Sequence, residues 1–108
     1  MAITRIDPGP RLAEAVVHDD RVYLSGMIPE DTSLDITGQV KQALAEIDAL
    51  LERAGTDKTR ILSAVIWLKD INDFAAMNAV WDAWVVPDHT PARATVQARL
   101  NDPDMKVE

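Results

Sequence analysis

The chain is 108 residues long, the size of one ordinary domain. Its 11 lysines and arginines stand against 18 aspartates and glutamates, a formal net charge of −7, which disfavours nucleic acid as a partner because phosphate binding needs a basic footprint. With no cysteine, disulfides, thiolate nucleophiles and Cys-ligated metal or iron–sulfur centres are excluded, and His18 and His89 lie too far apart in sequence to suggest a metal site.

A hydrophobic content of 47% with 27% charged residues belongs to a globular domain. No stretch approaches the roughly 20 apolar residues that span a bilayer, so the expectation is a cytoplasmic protein without membrane contact. Residues 3–5 read as a short edge strand, ended by the turn chemistry of Pro8, Gly9 and Pro10. Residues 12–17 and 21–24 are two further strands, joined as a hairpin through His18, Asp19 and Asp20. Then comes a helix. Ile36, Val40, Ala43, Leu44, Ile47, Leu50, Leu51 and Ala54 recur at helical spacing, with Ser33 or Asp35 as the cap and Gly55 where a left-handed C-terminal residue belongs. Residues 60–69 are apolar on both alternating sets, which predicts a central strand covered on both faces. Asn72 and Asp73 offer a cap for a second helix with Phe74, Met77, Trp81, Trp84 and Val85 as its stripe. Residues 92–100 predict another strand, and 105–108 open a last one that stops almost at once, so a longer native strand is expected there. The order β-ββ-α-β-α-β-β in a single domain over 1–108 predicts an α+β fold, a mixed β-sheet with two helices packed on one face.

The strand over 92–100 alternates cleanly. Ala92, Ala94, Val96, Ala98 and Leu100 point one way and are expected to pack under the helices, while Arg93, Thr95, Gln97 and Arg99 form a polar stripe on the opposite face. Such a stripe is either a solvated sheet face or the wall of a cleft. In a cleft, its arginines would suit a small carboxylate, which guanidinium binds with two parallel hydrogen bonds. The tryptophans Trp67, Trp81 and Trp84 read as core or interface anchors, and both histidines as surface turn residues. Neither a phosphate-binding glycine motif nor a nucleophile elbow is present.

Several segments taken in order carry a resemblance: Leu24-Ser25-Gly26-Met27-Ile28-Pro29, Glu52-Arg53-Ala54-Gly55, the run from Lys69-Asp70 through Phe74 to Asn78, and Pro91-Ala92-Arg93. Together they resemble the Rid (YjgF/L-PSP) family over nearly the whole chain, and Trp81-Asp82-Ala83-Trp84-Val85-Val86 with Thr95-Val96-Gln97-Ala98 is similar to its YoaB-like branch. The resemblance implies a chorismate-mutase-like fold assembled as a homotrimer with intersubunit clefts. It implies a cofactor-free enamine/imine deaminase, hydrolysing 2-aminoacrylate and related 2-imino acids to 2-keto acids and ammonia. It assigns Arg93 to the substrate carboxylate and Glu108, after Lys106-Val107, to the attacking water. Thr95, Ser25, Gly26, Asn78 and Leu12 would line the cleft, with no metal.

Three positions depart from the family pattern. Thr95 stands where the best-known members carry a cysteine, Leu12 where an aromatic residue lines the cleft, and Met27 where many members have glutamine. A hydroxyl can still hydrogen-bond a water. The alternative is a trimer that binds or senses a 2-keto acid without turning it over, since a shared fold does not decide function.

Overall fold

The computed structural model describes residues 2–108. Strands β1 (Ile3–Pro8), β2 (Ala13–His18) and β3 (Arg21–Leu24) come first, followed by helix α1 (Ile36–Arg53), strand β4 (Ser63–Leu68), helix α2 (Phe74–Trp84) and strand β5 (Ala92–Gln97). Short 3-10 turns at Lys58–Arg60 and Ile71–Asp73 lead into β4 and α2.

The first three strands form an antiparallel meander in the order β1-β2-β3. His18 pairs with Arg21, so Asp19 and Asp20 make a two-residue turn, and Asp19 takes the left-handed φ of 55° that such turns favour. β1 runs past the expected stop to Pro8, which pairs with Ala13. Proline is accommodated there because an edge strand does not need its N–H on the open side.

Helix α1 forms as its apolar period predicts, with Val40, Ala43, Leu44, Leu50 and Leu51 buried. Asp35, not Ser33, caps it: Asp35 Oδ1 accepts from the Gly38 amide at 2.9 Å. At the other end Gly55, at φ +83°, lets its own N–H reach Glu52 O at 3.0 Å and the Thr56 N–H reach Leu51 O at 2.9 Å. Those are the two bonds of a Schellman closure. The start of α2 differs from expectation. Asp70 caps the preceding 3-10 turn through the Asn72 amide at 2.9 Å, whereas Asp73 makes no side-chain cap bond.

β4 and β5 are parallel, with Ala64 opposite Arg93, Ile66 opposite Thr95 and Leu68 opposite Gln97. The terminal segment adds one antiparallel bridge, Leu68 to Val107, in place of the strand expected over 105–108, and makes this sheet mixed. Both helices lie on one face of it, where Val40, Leu44, Ile66, Leu68, Met77, Val80, Trp81 and Val107 form a continuous core. Leu68 is fully buried, so truncating it to alanine should cost about 2–5 kcal/mol. Ala15, Met27 and Leu50 make a second core against the meander, and Ile47 of α1 packs against both. Trp84 Nε1 donates to Asp48 Oδ2 at 2.9 Å, tying α2 to α1. No helix among the described residues is long and apolar enough to cross a membrane.

Two expectations about the sheet are corrected. The central strand is not covered on both faces: Val65 and Trp67 remain 46% and 37% exposed, because both helices occupy the side of Ile66 and Leu68. The faces of β5 are reversed as well. Arg93 and Thr95 share the face of Ile66 and Leu68, under the helices, while Ala92, Ala94 and Val96 are exposed with Val65 and Trp67. The physical reason is that α2 brings polar and aromatic partners for the arginine.

Candidate functional site

Arg93 is held almost entirely by α2. Phe74, Asn78 and Trp81 recur at helical spacing and so share one stripe of that helix. The Arg93 Nη1 donates to Asn78 Oδ1 at 2.7 Å and approaches the Met77 sulfur at 3.9 Å. Its guanidinium carbon lies 5.2 Å from the Trp81 ring centroid and 5.7 Å from that of Phe74. Aromatic faces attract the cation and exclude part of its water, and the planar group keeps further N–H donors beyond the one given to Asn78. Two of those donors in parallel match a carboxylate. Thr95, two residues on and on the same face, has its hydroxyl oxygen buried without a hydrogen-bond partner among the described residues.

Glu108 is placed by a different set of contacts. Its N–H and C=O both pair with Trp67, at 2.9 Å each. Its carboxylate lies against Gly26 so closely that a Cβ on Gly26 would fall 2.0 Å from Glu108 Oε2. Gly26 is therefore a glycine because the carboxylate occupies the space of a side chain. Ser25 donates its N–H to Glu14 O at 3.0 Å and its hydroxyl to Glu14 Oε2 at 3.3 Å, which fixes the turn out of β3.

Ser25, Gly26 and Glu108 line a groove of about 1290 Å³ that runs between β3 and β4 over Leu44 and Ile47 of α1. Arg93, Thr95, Asn78 and Leu12 do not line it, although Trp81, on which Arg93 stacks, does. The expected site residues thus fall into two groups, Arg93 with Asn78 and Thr95, and Glu108 with Gly26 and Ser25. Leu12 joins neither and is 56% exposed. Met27, at the position where many members have glutamine, is a core residue of the meander at 8% exposure and also borders the groove. Sequence reading missed the arginine-holding role of Phe74 and Trp81, whose helical stripe looked like core alone. It also missed Gln39, a glutamine on the buried side of α1.

Electrostatic perturbation sits elsewhere on the surface. The hydrogen bonds from Arg53, at 2.6 and 2.8 Å, hold the Asp7 carboxyl below the usual aspartate range. Ser33 does the same to Asp31, and Thr59 to Asp57. No cluster of metal-ligating side chains occurs among the described residues.

An α+β domain with two helices over a mixed sheet, and an arginine of its last strand clasped by the second helix, defines a protein of the YjgF fold class. The sequence profile described as endoribonuclease L-PSP matches residues 2–108. The chain is 50% identical to the RutC family protein YoaB of Escherichia coli, over 100% of this chain and 94% of that one. It is 33% identical to the 2-iminobutanoate/2-iminopropanoate deaminase of Salmonella typhimurium, over 81% of this chain and 73% of the relative. Among solved structures, a YjgF-family protein of Neisseria meningitidis superposes with a TM-score of 0.96 at 46% identity, covering 99% of this chain and 89% of that one. The chain belongs to the L-PSP (YjgF/Rid) family, in its YoaB-like branch.

Proposed function

We propose that this protein is a cofactor-independent deaminase of small 2-imino acids, working as a homotrimer. The observation that carries the reading is the Arg93 guanidinium, bonded by Asn78 and set against the Trp81 and Phe74 rings with donors to spare. That is a receptor for one small carboxylate. The deaminase name carried by the relative from Salmonella typhimurium supports the reaction class.

The chemistry needs little from the protein. An imine carbon next to a carboxylate is electrophilic, and fixing the carboxylate on Arg93 gives the reacting carbon a defined position. Glu108 takes a proton from water as the water oxygen bonds to that carbon, and passes it to the nitrogen that receives the C=N electron pair, giving a carbinolamine. Glu108 then takes the carbinolamine hydroxyl proton as the C=O bond forms and the C–N bond breaks, and delivers it to the nitrogen, which leaves as ammonia. The net change is imine plus water to 2-keto acid plus ammonia. The Thr95 hydroxyl, buried and unpaired, is suited to hold the water or the hydrated intermediate.

The trimer supplies what one chain lacks. Arg93 and Glu108 belong to separate groups in one subunit, and clefts between subunits would bring one group to the other. The exposed apolar face of Val65, Trp67, Ala94 and Val96 supports association, since contiguous apolar sheet surface marks an interaction site. Sizing in solution should give three times 11.9 kDa.

The test is to generate 2-aminoacrylate in situ with a dehydratase and follow keto-acid release above the spontaneous rate. Acceleration by the parent and its loss in Arg93→Ala is the expected result, and an equally active Arg93→Ala overturns the assignment. Thermal stabilisation by 2-ketobutyrate with no acceleration would assign the same clefts to binding alone.

A further inference from the structure

We infer that Gln39 is a positioning residue for Glu108, pinning the register of the terminal segment so that the carboxylate falls on Gly26. This rests on the deaminase reading, in which Glu108 handles the water.

Gln39 has no solvent exposure and is the buried polar side chain of the described core. Its Nε2 donates to Thr32 O at 3.1 Å, to Leu34 O at 3.0 Å and to Asp104 O at 3.0 Å. Its Oε1 accepts from the Lys106 amide at 2.7 Å. An amide nitrogen has two protons, so three carbonyls share them, one through a bifurcated bond. One side chain on the first turns of α1 therefore holds two stretches of irregular backbone. One is the loop that follows Gly26 on its way to the helix. The other is the segment that leads to Glu108.

The second attachment matters because it reaches the segment just ahead of Glu108. Beyond Lys106 this segment makes one bridge, Val107 to Leu68, with bonds from the Lys69 N–H to Lys106 O and between Glu108 and Trp67. Side chains along an extended segment alternate in direction, so a slip of one residue turns every side chain to the other face. After such a slip the Glu108 carboxylate would leave Gly26 and Val107 would leave the core. Gln39 adds a constraint from outside the sheet: the Lys106 amide and the Asp104 carbonyl are addressed together by one side-chain amide, which fixes the register of the residues between them and Glu108. The acid that must move protons is thus fixed from a helix that carries no substrate contact.

Arg93 is held independently by α2. A positioning role for Gln39 therefore predicts a split that general destabilisation does not. In Gln39→Leu, kcat for keto-acid release should fall by at least about tenfold while KM for the imino acid changes less than about twofold. The Lys106 and Glu108 amides should exchange with solvent at least about tenfold faster, and the β1–β3 amides at the parent rate. Unchanged kcat, or kcat and KM deteriorating together, overturns the inference. Should the variant not fold, the parent decides. Its Gln39 side-chain amide and Lys106 N–H must exchange as slowly as the buried amides of α1, and exchange at the rate of a free amide overturns the inference. If the parent shows no turnover at all, the deaminase reading falls on that result alone, and the exchange comparison still decides whether Gln39 holds the Glu108 segment.

Discussion

Removing the Asn78 amide is the sharpest test of how α2 serves Arg93. In Asn78→Ala the guanidinium loses the acceptor at 2.7 Å but keeps the Trp81 and Phe74 faces at 5.2 and 5.7 Å. A hydrogen bond to a charged group is worth about 1.5–3 kcal/mol, and because Arg93 is only half-buried the lower end applies, about 1.5 kcal/mol. The retained aromatic contacts, worth roughly 0.5–1 kcal/mol each, keep the side chain near its place. Freed on one side, the guanidinium samples orientations that do not present two parallel donors. Substrate binding should weaken by about tenfold, which is roughly 1.4 kcal/mol. The effect belongs in KM, because the carboxylate contact is made before and during the reaction alike. The assay is a double-mutant cycle of Asn78→Ala and Arg93→Met read by urea denaturation, with keto-acid release followed in the parent and in Asn78→Ala. A coupling energy near 1.5 kcal/mol in stability, with KM raised about tenfold in Asn78→Ala, is expected. Coupling below about 0.3 kcal/mol would show that Asn78 and Arg93 act independently, and the α2 account of the arginine would be refuted.

Gly26→Ala should separate activity from stability: the new methyl meets the Glu108 carboxylate, the mobile end of a side chain, and Gly26 lacks a left-handed φ, so stability should shift by less than about 1 kcal/mol. Keto-acid release should nonetheless fall at least about tenfold as the carboxylate is displaced. Thr95→Val keeps the shape and removes an unpaired buried hydroxyl, so urea denaturation should show a protein as stable as the parent or more so by roughly 1 kcal/mol, with slower turnover. The Asp7–Arg53 pair predicts an acid dependence. The folded Asp7 carboxyl titrates below the ordinary 3.8, so the pair's contribution is complete above that value and is lost as pH falls through the lowered one. An NMR titration should give a midpoint below 3.8 in the parent that moves back toward 3.8 in Arg53→Gln.

Local chemistry made much of the fold legible. The apolar period of α1, its Asp35 start and its Gly55 stop all lie within one helix and need no distant partner. The β2–β3 hairpin was readable for the same reason, since a two-residue turn between alternating strands sets its own register. What a strand's pattern could not show was which neighbour would cover which face. Residues 60–69 are apolar on both sides, yet one side stays uncovered within the chain, because the second covering surface is not a local property of that strand. Gln39 escaped notice for a related reason: its four partners come from Thr32, Leu34, Asp104 and Lys106, and the last two are more than sixty positions away.

The reversal of β5 is the most informative of these differences. The rule that apolar residues face the helices would have turned Ala92, Ala94 and Val96 inward and left Arg93 in solvent. In the fold the arginine goes under α2, and the helix accommodates it with an amide oxygen and two aromatic faces placed at helical spacing. Drawing a guanidinium partly out of water opposes stability, and Thr95 beside it adds a buried hydroxyl without a hydrogen-bond partner among the described residues. Local rules are broken at a cost where function requires it. Two successive inward positions of one strand are polar, while three outward positions are apolar. A sheet built for stability alone would reverse both choices. On the proposed function, the reversal is what sets the remaining Arg93 donors beside Thr95 for a carboxylate.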